Sequence, residues 1–178
     1  MNKVIIYTDG ACRGNGNADS VGAYAYTLLA PELSMFKYNA ELMPPYSTNN
    51  QAEIKAVYSA LQAIKRRDWE IVLYSDSNYV IQFLNDWRYK WKAKNWNVKK
   101  KNLNQLRTLS ALVDSFDNIK FYHVDGHAGI LGNEICDKLC NFRMDNISPL
   151  DNDNFKIMVN KFLAEYHVKP IYNMGVVQ

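Results

Sequence analysis

Residues 3–16 read KVIIYTDGACRGNG, and where the strand in that run stops decides the fold. The β-branched and aromatic content of residues 3–9 predicts a strand whose alternation puts Ile5, Tyr7 and Asp9 on one face. Asp9 is then a strand-end carboxylate aimed at a sheet surface. The Gly/Asn-rich segment GNGNADS, residues 14–20, reads as a turn back into the sheet. Two further strands are expected at 22–30 and 34–42, joined by a short turn at Pro31 and Glu32. The result is an antiparallel meander that one helix can cover.

That helix is expected to start near Thr48 to Asn50, which suit N-caps, and to run to about Arg66. Val57, Ala60, Leu61 and Ile64 repeat along it at three and four residues. Glu53 falls at the edge of this apolar stripe. A carboxylate turned towards the sheet requires compensation, which a bound cation supplies, whereas a solvated first-turn glutamate would only favour the helix dipole. Residues 70–75, EIVLYS, are almost unbroken in apolar character and suit a central parallel strand closed by Asp76. Asp76 or Ser77 could cap the next helix, whose apolar side carries Tyr79, Val80, Phe83, Leu84 and Trp87. The polar segment KNWNVKKKN then breaks the period before Leu103, Leu106, Leu109, Leu112 and Val113 restore it, so a broken pair of helices is expected. Residues 119–124 read as the last strand. A Gly-rich loop from Asp125 to Gly132 leads into a helix starting at Asn133, with Asp137 one turn in. Residues 144–154 are linker-like and 155–166 form a short amphipathic helix. The tail could dock on the body, bind a partner or stay loosely ordered.

The 178 residues, 48% of them apolar, suit one domain with a substantial core. No apolar run approaches the roughly 20 residues needed to cross a bilayer, and the N-terminus lacks a leader-like apolar stretch, so a soluble, cytoplasmic protein without membrane contact is expected. Cys12, Cys136 and Cys140 have no zinc-ligand spacing and read as reduced, packed thiols. The net charge of +3 hides an asymmetry. Residues 87–113 hold eight of the 21 basic residues and no acid, together with three of the four tryptophans. Such an acidic body with one cationic stretch points to a polyanion met on one face.

Four acids stand inside short distinctive strings: Asp9 in YTDGACRGNG, Glu53 in TNNQAEIKA, Asp76 in LYSDSNYV and Asp137 in GHAGILGNEICDKL. If they meet, their mutual repulsion calls for protons or cations. Hard oxygen donors favour magnesium, with manganese as a substitute. A pair of such ions suits in-line displacement at phosphorus, that is, phosphodiester hydrolysis.

The order of these strings, TDG, TNNxxE, SDSxYV, a tryptophan-rich basic protrusion and GHAGxxGNExCD, resembles type 1 ribonuclease H over residues 1–143. The resemblance implies an α/β fold with a five-stranded mixed sheet, three antiparallel strands then two parallel, flanked by helices. It implies an endonuclease that cuts the RNA strand of an RNA–DNA hybrid, leaving a 5′-phosphate and a 3′-hydroxyl; a monomer is expected. Asp9, Glu53, Asp76 and Asp137 fall on the family's metal-binding carboxylates, which hold two magnesium ions with substrate. His127 falls on a loop histidine that assists proton transfer or product departure. Asn15, Asn49 and Asn50 match positions that read the minor groove, where the 2′-hydroxyl separates RNA from DNA. Thr48 and Asn78 match positions that hold a DNA-strand phosphate. Residues 87–101 resemble a basic handle, with Lys92, Lys94, Lys99, Lys100 and Lys101 as phosphate contacts. Trp87 and Trp91 are expected to pack the base of this protrusion, with base stacking as their other role, and Trp96 to be the exposed contact. Turn and capping roles compete for the five Asn and Thr positions.

The turn after Gly14 departs from the family's proline-richer form. Asp125 stands where a basic residue is usual, and residues 144–178 map onto no part of the motif pattern that carries the resemblance. A nuclease of this fold acting on DNA is disfavoured by TNNxxE and the basic protrusion, and a silent hybrid-binding module by the four intact acids. A dinucleotide loop at GNG is disfavoured because a strand follows it.

Overall fold

The computed structural model describes residues 2–174. At its centre lies β1 (Lys3–Arg13), which runs four residues past the expected end. Gly10 to Arg13 stay in antiparallel register with β2 (Val21–Ala30), through Arg13 opposite Val21. Asp9 therefore lies within a strand rather than at its end. It still sits at a fork, because the parallel ladder to β4 (Glu70–Ser75) ends with Thr8 opposite Ser75. β3 (Met35–Leu42) pairs antiparallel with β2, and β5 (Asn118–His123) pairs parallel with β4. The sheet order is β3-β2-β1-β4-β5, which is the mixed five-stranded arrangement expected.

One sheet face is covered by α1 (Asn49–Ala63), which begins with a capping box between Thr48 and Gln51. It ends three residues before Arg66, where Ile64 turns extended and the Arg67 guanidinium donates to the carbonyls of Leu61 and Ile64. Ser77, not Asp76, caps the next helix by accepting from Val80 N, so the Asp76 carboxylate is not used as the cap. That helix is one rod: α2 (Asn78–Gln82), a π segment (Phe83–Trp87) and α3 (Arg88–Ala93). α4 (Leu103–Val113) follows and packs beside α1. Val57, Leu61, Phe83, Leu106 and Leu109 join Ile6, Leu28 and Leu73 of the sheet in one core.

The opposite face is covered by α5 (Leu131–Met144) and α6 (Asp153–Glu165). α5 starts two residues before Asn133 because Gly132 passes tightly over Tyr7. A Cβ there would lie 2.3 Å from the tyrosine ring. Ile135, Leu139, Phe155, Val159 and Phe162 pack on Ile5, Tyr7, Ala25 and Leu29. Of the alternatives for the tail, docking is the one observed over residues 144–174, the remainder lying outside the described residues. Phe162 meets Tyr7 edge-on at 5.7 Å, and Asn160 binds the backbone of Ile171 and Tyr172. The three thiols are free, and those of Cys136 and Cys140 donate to the carbonyls of Tyr7 and Asp9. Among the described residues no helix is long and apolar enough to cross a membrane.

Because α6 closes a core rather than decorating it, Phe162→Ala is expected to cost about 3–5 kcal/mol in urea unfolding. A loss below about 1 kcal/mol would place α6 outside the cooperative unit.

Candidate active site

Asp9 of β1, Glu53 of α1 and Asp76 at the end of β4 converge, each offering a carboxylate oxygen within 4.8 Å of the others. Glycine makes this possible. A Cβ at Gly10 would lie 2.4 Å from the backbone of Ala52 and Glu53, so only glycine lets α1 press against β1 at the residue after Asp9. Gly126 plays a similar part, since a Cβ there would lie 2.9 Å from an Asp76 oxygen. The Gly10 amide donates to Asp9 Oδ1 at 2.9 Å, and the buried Asn133 donates to Asp76 Oδ2 at 3.2 Å. A His123 ring nitrogen lies 3.1 Å from the Asp76 carbonyl oxygen.

The cluster is short of positive charge. None of the ion pairs among the described residues includes Asp9, Glu53 or Asp76. Burial, followed by the charges of Asp76 and Asp137, pushes the Asp9 carboxyl up to about 7. Burial, then Asp9 and Asp76, raises Glu53 well above the usual carboxylate range. One oxygen of Glu53 is buried without any partner. Asp137 stands apart from this trio. It is half-buried, its charge reaches Asp9, and its carboxylate accepts from Asn141 Nδ2 at 3.3 Å. His127 is exposed, with φ 55, on the loop whose Gly126 abuts Asp76.

Asn15 and the start of α1 are joined, because Asn15 Oδ1 accepts from the Asn49 amide at 2.9 Å. Asn49, Asn50 and Asn78 are exposed at helix starts. The Thr48 oxygen accepts from Gln51 N, which leaves its hydroxyl hydrogen free to donate. In the protrusion, Trp87 stacks on Trp91 at 5.9 Å as a packing residue. Trp96 is not the exposed contact expected. Left-handed turns at Asn95 and Trp96, φ 52 and 61, fold the indole back edge-on against Trp91. Lys92 is likewise not free, because it pairs with Asp114, which also holds the buried Arg88. Lys94, Lys99, Lys100 and Lys101 are exposed and have no ion pair among the described residues. Asn133, His123 and Asn141 are contacts of the acids that the sequence motifs did not single out, although Asn133 lies inside the GNE string.

The family model described as RNase H matches residues 1–144. The chain belongs to the ribonuclease H family. It is 40% identical to a ribonuclease H of Clostridium botulinum and 38% identical to one of Ruthia magnifica, each over 83% of this chain and 99% of the relative. A crystal structure of a type 1 RNase H with the type 2 active-site motif shares its fold. It is 20% identical with TM-score 0.73, covering 100% of this chain and 92% of the other. The ribonuclease H match ends before α6 begins.

The Asp9 shift sets a pH dependence for this ribonuclease H. Folded, Asp9 keeps its proton up to about pH 7; unfolded, it releases it near 3.8. The folded state therefore holds the extra proton within that window, and stability falls as pH rises through it. Chelator-treated protein should melt lower at about pH 8 than at about pH 5.5. Asp9→Asn should flatten that drop and stabilise the cation-free chain by on the order of 1–3 kcal/mol at the higher pH. An unchanged pH profile in the variant would contradict the assignment.

Proposed function

We propose that this ribonuclease H is a divalent-metal-dependent endonuclease. It cuts the RNA strand of RNA–DNA hybrids, leaves 5′-phosphate and 3′-hydroxyl ends, and acts as a monomer whose catalytic unit is residues 1–143. The observation that carries this reading is the trio of buried Asp9, buried Glu53 and half-buried Asp76, crowded within 4.8 Å with no ion pair to any of them among the described residues.

The donor set fits a hard divalent metal. It is all oxygen, it includes an orphaned buried Glu53 oxygen, and two of its members are pushed towards protonation by burial and by one another. Asp9, Glu53, Asp76 and Asp137 would hold magnesium, with manganese as a substitute. When bound, such ions lower the pKa of a water and offset the charge that gathers on the phosphoryl oxygens.

The rest of the work belongs to the chain. The Gly10 amide and Asn133 hold Asp9 and Asp76 in place, so the carboxylates need not reorganise when substrate arrives. His127, exposed and one residue after the Gly126 that abuts Asp76, would deliver a proton to the departing 3′-oxygen. Asn15, Asn49 and Asn50 cluster at the start of α1, where amides can both donate to and accept from a 2′-hydroxyl. Thr48 and Asn78 take a DNA-strand phosphate. Lys94, Lys99, Lys100 and Lys101 supply the electrostatic grip, while Trp87, Trp91 and Trp96 stiffen the protrusion that carries them.

End-labelled hybrid, double-stranded RNA and double-stranded DNA, each with and without magnesium, test the reading; only hybrid with magnesium should be cut. Asp9→Asn should lose at least about 100-fold in cleavage while still binding hybrid. Equal cleavage of double-stranded DNA, or an active Asp9→Asn, would overturn the assignment. Replacing Lys99, Lys100 and Lys101 with Ala should lower the slope of log affinity against log salt by roughly 2–3. An unchanged slope would remove the protrusion from the binding surface.

A further inference from the structure

Asp137 differs from the other three acids in how it is held. It lies on α5, outside the tight trio, and its carboxylate receives a side-chain donor one turn further along the same helix. That donor is Asn141, whose Nδ2 reaches both the Asp137 carbonyl at 3.0 Å and Asp137 Oδ1 at 3.3 Å. The other end of the same amide is fixed. Arg13 Nη2, at the last residue of β1, donates to Asn141 Oδ1 at 2.9 Å.

The polarity of this relay has one solution. A guanidinium only donates and a carboxylate only accepts, so Asn141 must turn its oxygen to Arg13 and its NH2 to Asp137. The Arg13 charge is itself matched by Asp145, which it grips with both terminal nitrogens. Asp137 is thus oriented by a neutral donor. A lysine or arginine at position 141 would instead compete with a metal for it. The relay also ties together the two elements that carry Asp9 and Asp137, β1 and α5. The Arg13–Asp145 pair is half-exposed, side chains 50% and 43%, so it adds little stability in its own right.

We propose that Asn141, oriented by Arg13, is a positioning residue that fixes Asp137 and thereby sets how tightly the site holds its divalent cations. This rests on the reading of the acidic cluster as a cation site. Partners that orient metal ligands through a hydrogen bond commonly change metal affinity 10- to 100-fold when removed.

The test is calorimetric titration of Mn2+ into the intact protein without substrate, which keeps turnover out of the readout. Asn141→Leu is expected to raise the Mn2+ Kd about 10-fold and to lower kcat on ordinary hybrid with KM unchanged. Arg13→Met, on an exposed side chain, should act several-fold in the same direction and keeps the proposal testable if Asn141→Leu folds poorly. In an Asp137→Asn background, Asn141→Leu should change the Kd no further. Unchanged Kd in both single variants, or an undiminished effect in the Asp137→Asn background, overturns the positioning role while leaving the cation site intact. Absence of Mn2+ binding by the parent protein overturns the cation site, and the positioning role with it.

Discussion

The close approach of α1 to β1 at Gly10 is the constraint on which the rest depends. No side chain fits between Gly10 and the backbone of Ala52 and Glu53, so the helix sits low on the sheet and Glu53 is driven in beside Asp9. A glutamate so placed cannot be satisfied by water, and one of its oxygens has no partner. Burial and like charge then raise both carboxyls, which describes a site built for a cation that no ion pair among the described residues supplies. Any larger residue at position 10 would lift the helix and disperse the cluster.

The charge distribution has a matching logic. Acids are concentrated where the sheet forks after Thr8, and the free lysines stand on a separate protrusion. Tryptophans that a linear reading offers to nucleobases are spent on rigidity: Trp87, Trp91 and Trp96 pack against one another, so the protrusion presents lysines from a stiff base. Asp114 pairs with both Lys92 and the buried Arg88 at that base and Asp86 pairs with Lys90, so among the described residues 87–101 the cations without an ion pair are Lys94 and the Lys99–Lys101 run. The second sheet face is closed by α6, beyond the family match, and its Phe162 and the Tyr166 that follows it reach Tyr7, two residues from Asp9.

Much of this was legible in the amino-acid order because the deciding signals are local. Alternation marked the strands, Thr48 and Gln51 marked the start of α1, and the strings around Asp9, Glu53 and Asp76 marked residues that do meet. What was not legible depends on long-range pairing. β1 continues to Arg13 only because β2 supplies partners for it. The α1 end is set by a guanidinium from Arg67 rather than by its own last turn. An amphipathic pattern in α6 announces an apolar face without saying what it covers, and Lys92 meets Asp114 across 22 residues of chain. Arg13 and Asn141, 128 residues apart, carry no shared motif.

Anomalous diffraction from crystals grown with manganese addresses the central claim most directly. The account predicts a strong peak among Asp9, Glu53 and Asp76, lost when any of the three is replaced by its amide. Crystals soaked in manganese that show no anomalous density among these carboxylates would contradict it.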